Sequence, residues 1–588
     1  MEKRIAIALY IIMFLSVAFV CRLWYLQVLR GNDYRKIDER NRQRVLNILP
    51  SRGIIYDRNG KSLVKNIPSF DVAAVKEDLP KDPRTIAALG KLLGMKEDEI
   101  NNKLTGKIIK PFEPLTLKED VSFEEVARVE ARKIDFPGLQ IKVVSGREYT
   151  YGHSASHVLG YIGSISVKQM NTPEYSDVPS ESVIGQYGIE KVYDNILRGI
   201  AGKKVIEVDA VGSIIKVVRI QRPIRGRNIN LTIDIDLQTE AEQSLKGRAG
   251  AVVALVPDTG EVLALASAPA FDPNHFVRGI NAKEWKRLVS DPRKPLLNRA
   301  IQSQYPPGST FKIITSIAAL EQGIISDQTT HYCNGSIYFG RVFRCWKAAG
   351  HGNVSLHKAI VESCDVYFYE VAKELDIDVL AQYAFGYGMG RKTGIDLEGE
   401  LPGIVPTSAW KLETKGEKWY TGETLNTVIG QGYVSATPLQ MARAVATVVN
   451  GGRLYEPYLY MDPASGTKFE GTVKIGRETI ALIKEALWGV VNEEKGTGKQ
   501  AYSEWVDIGG KTGTTQVIGG KMKEKDLPDK FRDHAWFVAF APVDKPKIAV
   551  AVFVEHGGQG GAEAAPIAKK IIEAYLGKDF HRSGNHDG

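Results

Sequence analysis

The sequence predicts an α+β protein: a sheet with packed helices, standing on an extended α+β pedestal behind one N-terminal membrane span. Three observations predict this. Residues Ile5 to Cys21 carry no charge. The hydrophobic pattern changes near Gly226. Beyond that point strand-like runs stand first and last with helix-like runs between, so the two ends of the second module should meet in one sheet. At 588 residues the chain is too long for a single core.

Composition narrows the class. With 43% hydrophobic and 25% charged residues the chain is globular rather than disordered. The net charge of +8 is dispersed. It marks no nucleic-acid face and supports at most a mild attraction to anionic membrane or wall polymer.

The N-terminal elements follow from their residues. Lys3 and Arg4 precede the uncharged run, and Trp24 and Tyr25 suit a membrane interface. The basic start predicts a cytoplasmic N-terminus. No Ala-x-Ala cleavage pattern follows, which predicts an uncleaved anchor rather than a signal peptide. We therefore read residues 1–4 as a cytoplasmic stub and 5–26 as a single-pass span. Residues 27–225 form the pedestal, 226–577 the second module and 578–588 a polar tail, all outside the cytoplasm. In the pedestal, Ser51 to Gly60 reads as a strand entering an Asn-Gly turn. Lys76 to Arg132 is helix-prone, with Leu89, Leu92 and Leu93 on a core face. Nothing in the pedestal groups a nucleophile with a base and an acid, so its predicted role is structural or docking.

In the second module, Asn228 to Ile235 alternates as a strand, and Leu237 to Leu245 reads as a helix. Ala249 to Val256, Val262 to Ala268, Trp536 to Phe540 and Ile548 to Val554 read as strands. Ala564 to Leu576 reads as the closing helix.

The chemistry centres on Pro306-Pro307-Gly308-Ser309-Thr310-Phe311-Lys312, ahead of an apolar helical run. Ser309 falls at a helix start, and Lys312 lies one turn later on the same face. A serine hydroxyl needs a base, and a desolvated lysine with a lowered pKa can act as one. Ser-x-x-Lys occurs six times in the chain, so the spacing alone selects nothing. Its company selects it: Ser363-Cys364-Asp365 follows a predicted helix from Leu356 to Glu362, and Lys511-Thr512-Gly513-Thr514-Thr515 enters a predicted edge strand. Gly513 there is read as admitting a substrate backbone. A second Lys-Thr-Gly at Lys392 sits in a linker-like context.

This ordered triplet resembles the signature of penicillin-interacting serine enzymes, and nearly the whole chain resembles the class B penicillin-binding proteins. Ser51 to Gly60 and Gly185-Gln186-Tyr187-Gly188-Ile189-Glu190 resemble their pedestal motifs. Gly430-Gln431-Gly432-Tyr433, with Thr437-Pro438-Leu439-Gln440, resembles a transpeptidase-domain motif. Ser-x-Asp and His534-Ala535-Trp536-Phe537 are most similar to the elongation members, since division members usually carry Ser-x-Asn.

The resemblance implies a D,D-transpeptidase that crosslinks peptidoglycan stem peptides on lipid II-derived strands and is acylated by β-lactams. Ser309 would attack the penultimate D-Ala carbonyl and Lys312 would take its proton. Ser363 and Lys511 would relay a proton to the leaving D-Ala, with Asp365 ordering the relay. Backbone N–H groups of Ser309 and Thr514 would form the oxyanion hole, and Thr512 and Thr514 would hold the substrate carboxylate. The implied partners are a SEDS-type, RodA-like glycosyltransferase reached through anchor and pedestal, and other elongation-complex proteins. No organic cofactor is implied.

Three rivals share parts of this pattern. A carboxypeptidase or β-lactamase of the same fold lacks a pedestal and anchor of this size. A β-lactam receptor needs more spans and a cytoplasmic effector. A silent scaffold would not need Ser309, Lys312, Ser363 and Lys511 intact.

Four cysteines complete the reading. Cys21 lies in the span. Cys333, Cys345 and Cys364 form with His351 a Cys-x11-Cys-x5-His-x12-Cys window, whose donors match a closed structural zinc site. A Cys333–Cys345 disulfide, or three free thiols with His351 as a turn residue, compete with it. A metal here would pin the loop bearing Ser363 and Asp365.

Overall fold

The fold is described from a computed structural model. It covers all residues except 1, 35–42, 81, 83, 106–113, 209–213, 278, 465, 518–527, 529, 530 and 584–588. The first residue of the expected stub and the last five of the expected tail lie outside the described residues.

The N-terminal helix runs Glu2–Trp24 and continues as a wider turn through Tyr25–Leu29. Lys3–Leu29 contains an 18-residue window of mean hydropathy 2.4 and is long and apolar enough to cross a membrane, the one such helix among the described residues.

The pedestal is built on a long antiparallel pair, Ser62–Ala74 with Leu139–Tyr149, in register from Val64↔Tyr149 to Ala74↔Leu139. Between these strands the chain makes helices Arg84–Leu93, Glu97–Thr105 and Phe123–Ala131. Their apolar faces bury Leu89, Leu93, Ile100, Leu104 and Val129 on the strand residues Val72 and Leu139. The Asn-Gly turn forms as read, with the Asp57 carboxylate accepting from the N–H groups of Asn59 and Lys61 and Gly60 at φ 82°.

Below these elements lies a buried ionic knot. The Arg52 guanidinium meets Glu190 at 2.6 Å and Asp194 at 2.7 Å, and Arg147 meets Glu190 at 2.8 Å. Burial alone would raise the Glu190 carboxyl, but Arg147 and Arg52 more than offset it and hold it below the usual carboxylate range. The two pedestal motifs are thus opposite sides of one charge cluster.

The second module is organised by a five-stranded antiparallel sheet. Its order is Val262–Ala268, Gly250–Leu255, Ile548–Val554, His534–Ala541, Gly509–Thr515. The ends of the module do meet, and the Lys511 strand is the sheet edge. Helix Ile235–Ser244 and the terminal helix Ala565–Ser583 cover one face through Leu237, Ala241, Ala568, Ile571 and Ile572. The buried helix Pro438–Val449 covers the other.

One expectation needs correction. Asn228 to Ile235 is not one strand. Ile229–Asn230 pairs, parallel to Ile55–Tyr56 of the pedestal, Leu231 makes a single bridge to Tyr460, and Asp234 then caps the helix by accepting from the N–H groups of Asp236 and Leu237. The alternation was real, since Ile229, Leu231 and Ile233 are all buried, but it reports burial rather than a ladder. The last helix runs on to Ser583, into the segment read as the polar tail.

Pedestal and second module share core. Ile55, Val64, Tyr149 and Ile189 pack in one cluster with Ile233, Ile301 and Phe311. Asn274 and Tyr149 exchange hydrogen bonds of 2.9 and 3.0 Å, and Tyr193 donates to Asp396 at 2.8 Å.

Removing one side of the ionic knot strands the other in a dry site. Glu190→Gln should therefore lower the unfolding free energy by about 3–5 kcal/mol, read by thermal or denaturant unfolding of the full chain. A loss below about 1 kcal/mol, the range of a surface pair, would show that the knot is not effectively buried.

Candidate active site

Ser309 lies in a 3-10 turn, Gly308–Phe311, that feeds helix Lys312–Glu321. The turn is held from behind by backbone-on-backbone contact. The Gly308 N–H donates to the Gly430 carbonyl at 2.9 Å, and a Cβ on Gly430 would fall 2.0 Å from the Gly308 oxygen. That contact gives the Gly430-Gln431-Gly432 segment its place in the site. The edge strand grips the turn from the other side, with the Thr515 hydroxyl donating to the Pro306 carbonyl at 2.7 Å. Gly513 is buried, and a Cβ there would fall 2.8 Å from the Pro307 oxygen. The protein's own turn thus makes a close approach at 513 that a side chain there would obstruct.

Lys312 is fully buried. Its amine donates to the Asp365 carboxylate at 2.7 Å and the Ser363 carbonyl at 3.0 Å, and lies 3.4 Å from Ser363 Oγ. Lys511 comes from the edge strand and reaches the same hydroxyl at 2.9 Å, with the Thr512 carbonyl at 3.1 Å. Two buried amines therefore share one serine. Burial, then the neighbouring Lys312, holds the Lys511 amine well below the usual lysine range, and Asp365 opposes this only in part. Ser309 and Thr514 are partly exposed beside this buried trio, and among the described residues the Ser309 hydroxyl has no hydrogen-bond partner. Thr512 Oγ1 is 2.9 Å from Thr497 Oγ1.

Ser363 has φ 54°, in the left-handed region. It follows helix Leu356–Val361 at the position where glycine usually ends a helix. Its N–H donates to the Ile360 carbonyl at 3.3 Å and the Cys364 N–H to the Ala359 carbonyl at 2.9 Å, the paired bonds of a Schellman stop. A serine there costs roughly 1–2 kcal/mol over a relaxed backbone. The strain is met by the lysine bonds to its carbonyl and hydroxyl.

The cysteine window closes into one cluster. Cys333, Cys345, His351 and Cys364 are buried, and their ligand atoms all lie within 4.8 Å of one another. His351 Nδ1 is 3.6 Å from Cys333 Sγ and 3.5 Å from Cys345 Sγ. A tetrahedral ion with Zn–S of about 2.3 Å and Zn–N of about 2.0–2.1 Å sets sulfur and nitrogen about 3.5 Å apart, so the donor set fits a zinc ion. A hydrogen bond from Cys364 pulls the Cys345 thiol down to about 5 against the effect of burial, and pushes Cys364 up.

The cluster touches the lysine network through Asp365. Cys345 Sγ accepts from the Asp365 N–H at 3.4 Å, and the Trp346 N–H donates to the Asp365 carboxylate at 3.1 Å. The indole of Trp346 donates to the Glu362 carbonyl at 3.0 Å. Sequence reasoning missed Trp346, and its only available signal was adjacency to Cys345, because the working group is a backbone N–H.

All twelve residues singled out in the sequence thus fall in one connected region, and the Lys392 copy of Lys-Thr-Gly stays in an irregular segment. A buried lysine pair behind an accessible serine on a helix-flanked antiparallel sheet defines a serine acyl-transfer enzyme of the penicillin-interacting kind. Residues 250–573 match the Penicillin binding protein transpeptidase domain, and residues 47–231 the Penicillin-binding Protein dimerisation domain. The chain belongs to the penicillin-binding protein transpeptidase family.

Within that family it is similar to PBP2. It is 35% identical over 598 residues to the Peptidoglycan D,D-transpeptidase MrdA of Haemophilus influenzae, covering 98% of this chain and 91% of that one. PBP2 of Helicobacter pylori, solved in complex with MreC, superposes with a TM-score of 0.81 at 31% identity, over 91% of this chain and 99% of that one. A chain of a peptidoglycan synthase complex, solved for its coordination of polymerization and crosslinking, superposes with a TM-score of 0.73 at 32% identity, over 98% of each chain.

The strain at Ser363 can be separated from its chemistry. Ser363→Gly and Ser363→Ala both remove the hydroxyl, but only glycine relaxes the backbone. The glycine variant should be more stable than the alanine variant by about 1 kcal/mol in chemical unfolding, while both lose activity to a similar degree. Equal stabilities would show that the left-handed residue carries no cost.

Proposed function

We propose that this chain is an elongation-type peptidoglycan D,D-transpeptidase, held by its N-terminal helix in the cytoplasmic membrane with both folded modules on the outer side. The single observation that carries the catalytic reading is the sharing of the Ser363 hydroxyl by the Lys312 and Lys511 amines behind an accessible Ser309.

Ser309 Oγ attacks the penultimate D-Ala carbonyl of a donor stem peptide, and Lys312 takes its proton. Lys312 must be neutral to do so. The line from Lys312 Nζ through Ser363 Oγ to Lys511 Nζ, at 3.4 and 2.9 Å, joins it to the amine that burial and the neighbouring ammonium hold well below the usual lysine range, and a proton passes along that line. Asp365 holds Lys312 in place and balances one positive charge. The N–H groups of Ser309 and Thr514 receive the oxyanion, and Thr512 and Thr514 hold the terminal carboxylate. The same relay returns a proton to the leaving D-Ala. The amine of a second stem peptide then resolves the acyl-enzyme, forming the crosslink and freeing Ser309.

Cys333, Cys345, His351 and Cys364 would hold a structural zinc ion. Bound there, the ion supplies a rigid staple between the 333–351 segment and the Ser363–Asp365 loop, and no step of the reaction runs through it. The relatives solved with MreC and in a synthase complex support partners in the elongation machinery. We assign the anchor and pedestal to docking a RodA-like SEDS glycosyltransferase.

Ser309→Ala should abolish covalent labelling by a penicillin, read as intact mass, with the thermal unfolding curve unchanged. Stoichiometric acylation of the alanine variant would remove Ser309 as the nucleophile. Metal analysis of the purified full chain should find about one zinc per molecule, and Cys333→Ser should lower zinc content, melting temperature and acylation rate together. A zinc-free, fully active protein with a Cys333–Cys345 disulfide would overturn the staple.

A further inference from the structure

The catalytic reading leaves one surface unused. Strand Gln43–Ile48 is the first strand after the N-terminal helix, and it pairs with Gly202–Val208, which pairs with Ile214–Gln221. The last strand is the edge of this small sheet. Its apolar residues are open to solvent, with Ile215, Val217, Val218 and Ile220 each 44–58% exposed. An edge strand with this many exposed apolar side chains is a self-association hazard unless something covers it.

Its charges say what would cover it. From Ile214 to Asn230 the chain carries Lys216, Arg219, Arg222, Arg225 and Arg227 and no acidic residue. Glu207 is the only acid on the three strands and is taken by Lys216 at 3.0 Å. Among the described residues, Arg219, Arg222, Arg225 and Arg227 make no ion pair and are exposed. Exposed Ile224 extends the apolar surface into this basic segment. Apolar side chains interleaved with unpaired cations are the composition of a surface that rests in the headgroup region of an anionic bilayer.

Chain length puts such a bilayer within reach. Tyr34, close behind the apolar helix, and Gln43, at the start of the sheet, are nine residues apart, so the gap spans at most about 30 Å. The edge strand lies two strand spacings further, about 10 Å.

We propose that the Ile214–Gln221 edge and the basic segment through Arg227 lie against the anionic phospholipid of the bilayer that holds the N-terminal helix. The contact fixes the tilt of the pedestal, and with it the height of the active site above the membrane. It rests on the N-terminal helix being membrane-embedded and is independent of the catalytic assignment.

The test uses the full chain in two sets of nanodiscs, phosphatidylcholine alone and phosphatidylcholine with one-third phosphatidylglycerol. Recovery in the discs reports the anchor separately. Amide hydrogen exchange over residues 214–227 should be about tenfold slower in the anionic discs, and the difference should vanish in the triple variant Arg219→Glu, Arg222→Glu, Arg225→Glu. Unchanged exchange in the second-module sheet of that variant would show that it is folded. Equal exchange in the two lipids for the native chain overturns the proposal. Slow exchange in both lipids that appears only with a co-purified membrane protein overturns it as well, in favour of a protein partner on this edge.

Discussion

Two buried lysines cannot both stay charged beside one serine hydroxyl, and the active site is built around that constraint. Lys312 and Lys511 arrive from a helix and an edge strand that are far apart in sequence. Both reach Ser363, and a single carboxylate, Asp365, lies close enough to balance one of them. Desolvation and like-charge repulsion therefore fall on Lys511 and hold its amine well below the usual lysine range, without any catalytic histidine. The surrounding contacts keep that arrangement dry and fixed. Glycines 308, 430 and 513 let three backbones meet behind Ser309, and the left-handed Ser363 aims its hydroxyl between the two amines.

The cysteine cluster belongs to the same logic. Asp365 is held at three points: the Lys312 amine, the Trp346 N–H and the Cys345 sulfur that accepts its own N–H. Two of those three come from the 345–346 segment, which has no covalent reason to stay near the 363–365 loop. The proposed staple joining Cys345 to Cys364 would supply one. This distinguishes a positioning role from a chemical one, since the donors touch Asp365 and not Ser309.

What the sequence disclosed follows from what local patterns encode. Val262–Ala268 and Ile548–Val554 were legible to the residue because buried strands are continuous apolar runs between turn signals. The residues that meet around Ser363 were legible as a group because their order and types are chemically constrained. Asn228 to Ile235 misled, because alternation records which side chains are buried and not what the backbone pairs with. The Trp346 N–H, the Gly308–Gly430 contact and the approach of Pro307 to Gly513 had no signal of their own, since each depends on backbone atoms brought together only by the fold. Ser363 was found as a hydroxyl but not as a strained helix stop, because that position ordinarily announces itself as glycine.

The account stands on the charge state of Lys511. Direct titration of lysine Nζ by NMR on lysine-labelled protein measures it, with Lys511→Met assigning the resonance. The account predicts one lysine amine that titrates well below the ordinary value of 10.5, neutral while the other lysines remain charged, and absent from the Lys511→Met variant. If the Lys511 resonance titrated with the surface lysines, the shared serine would lie between two ammonium groups, and the proton relay would be contradicted.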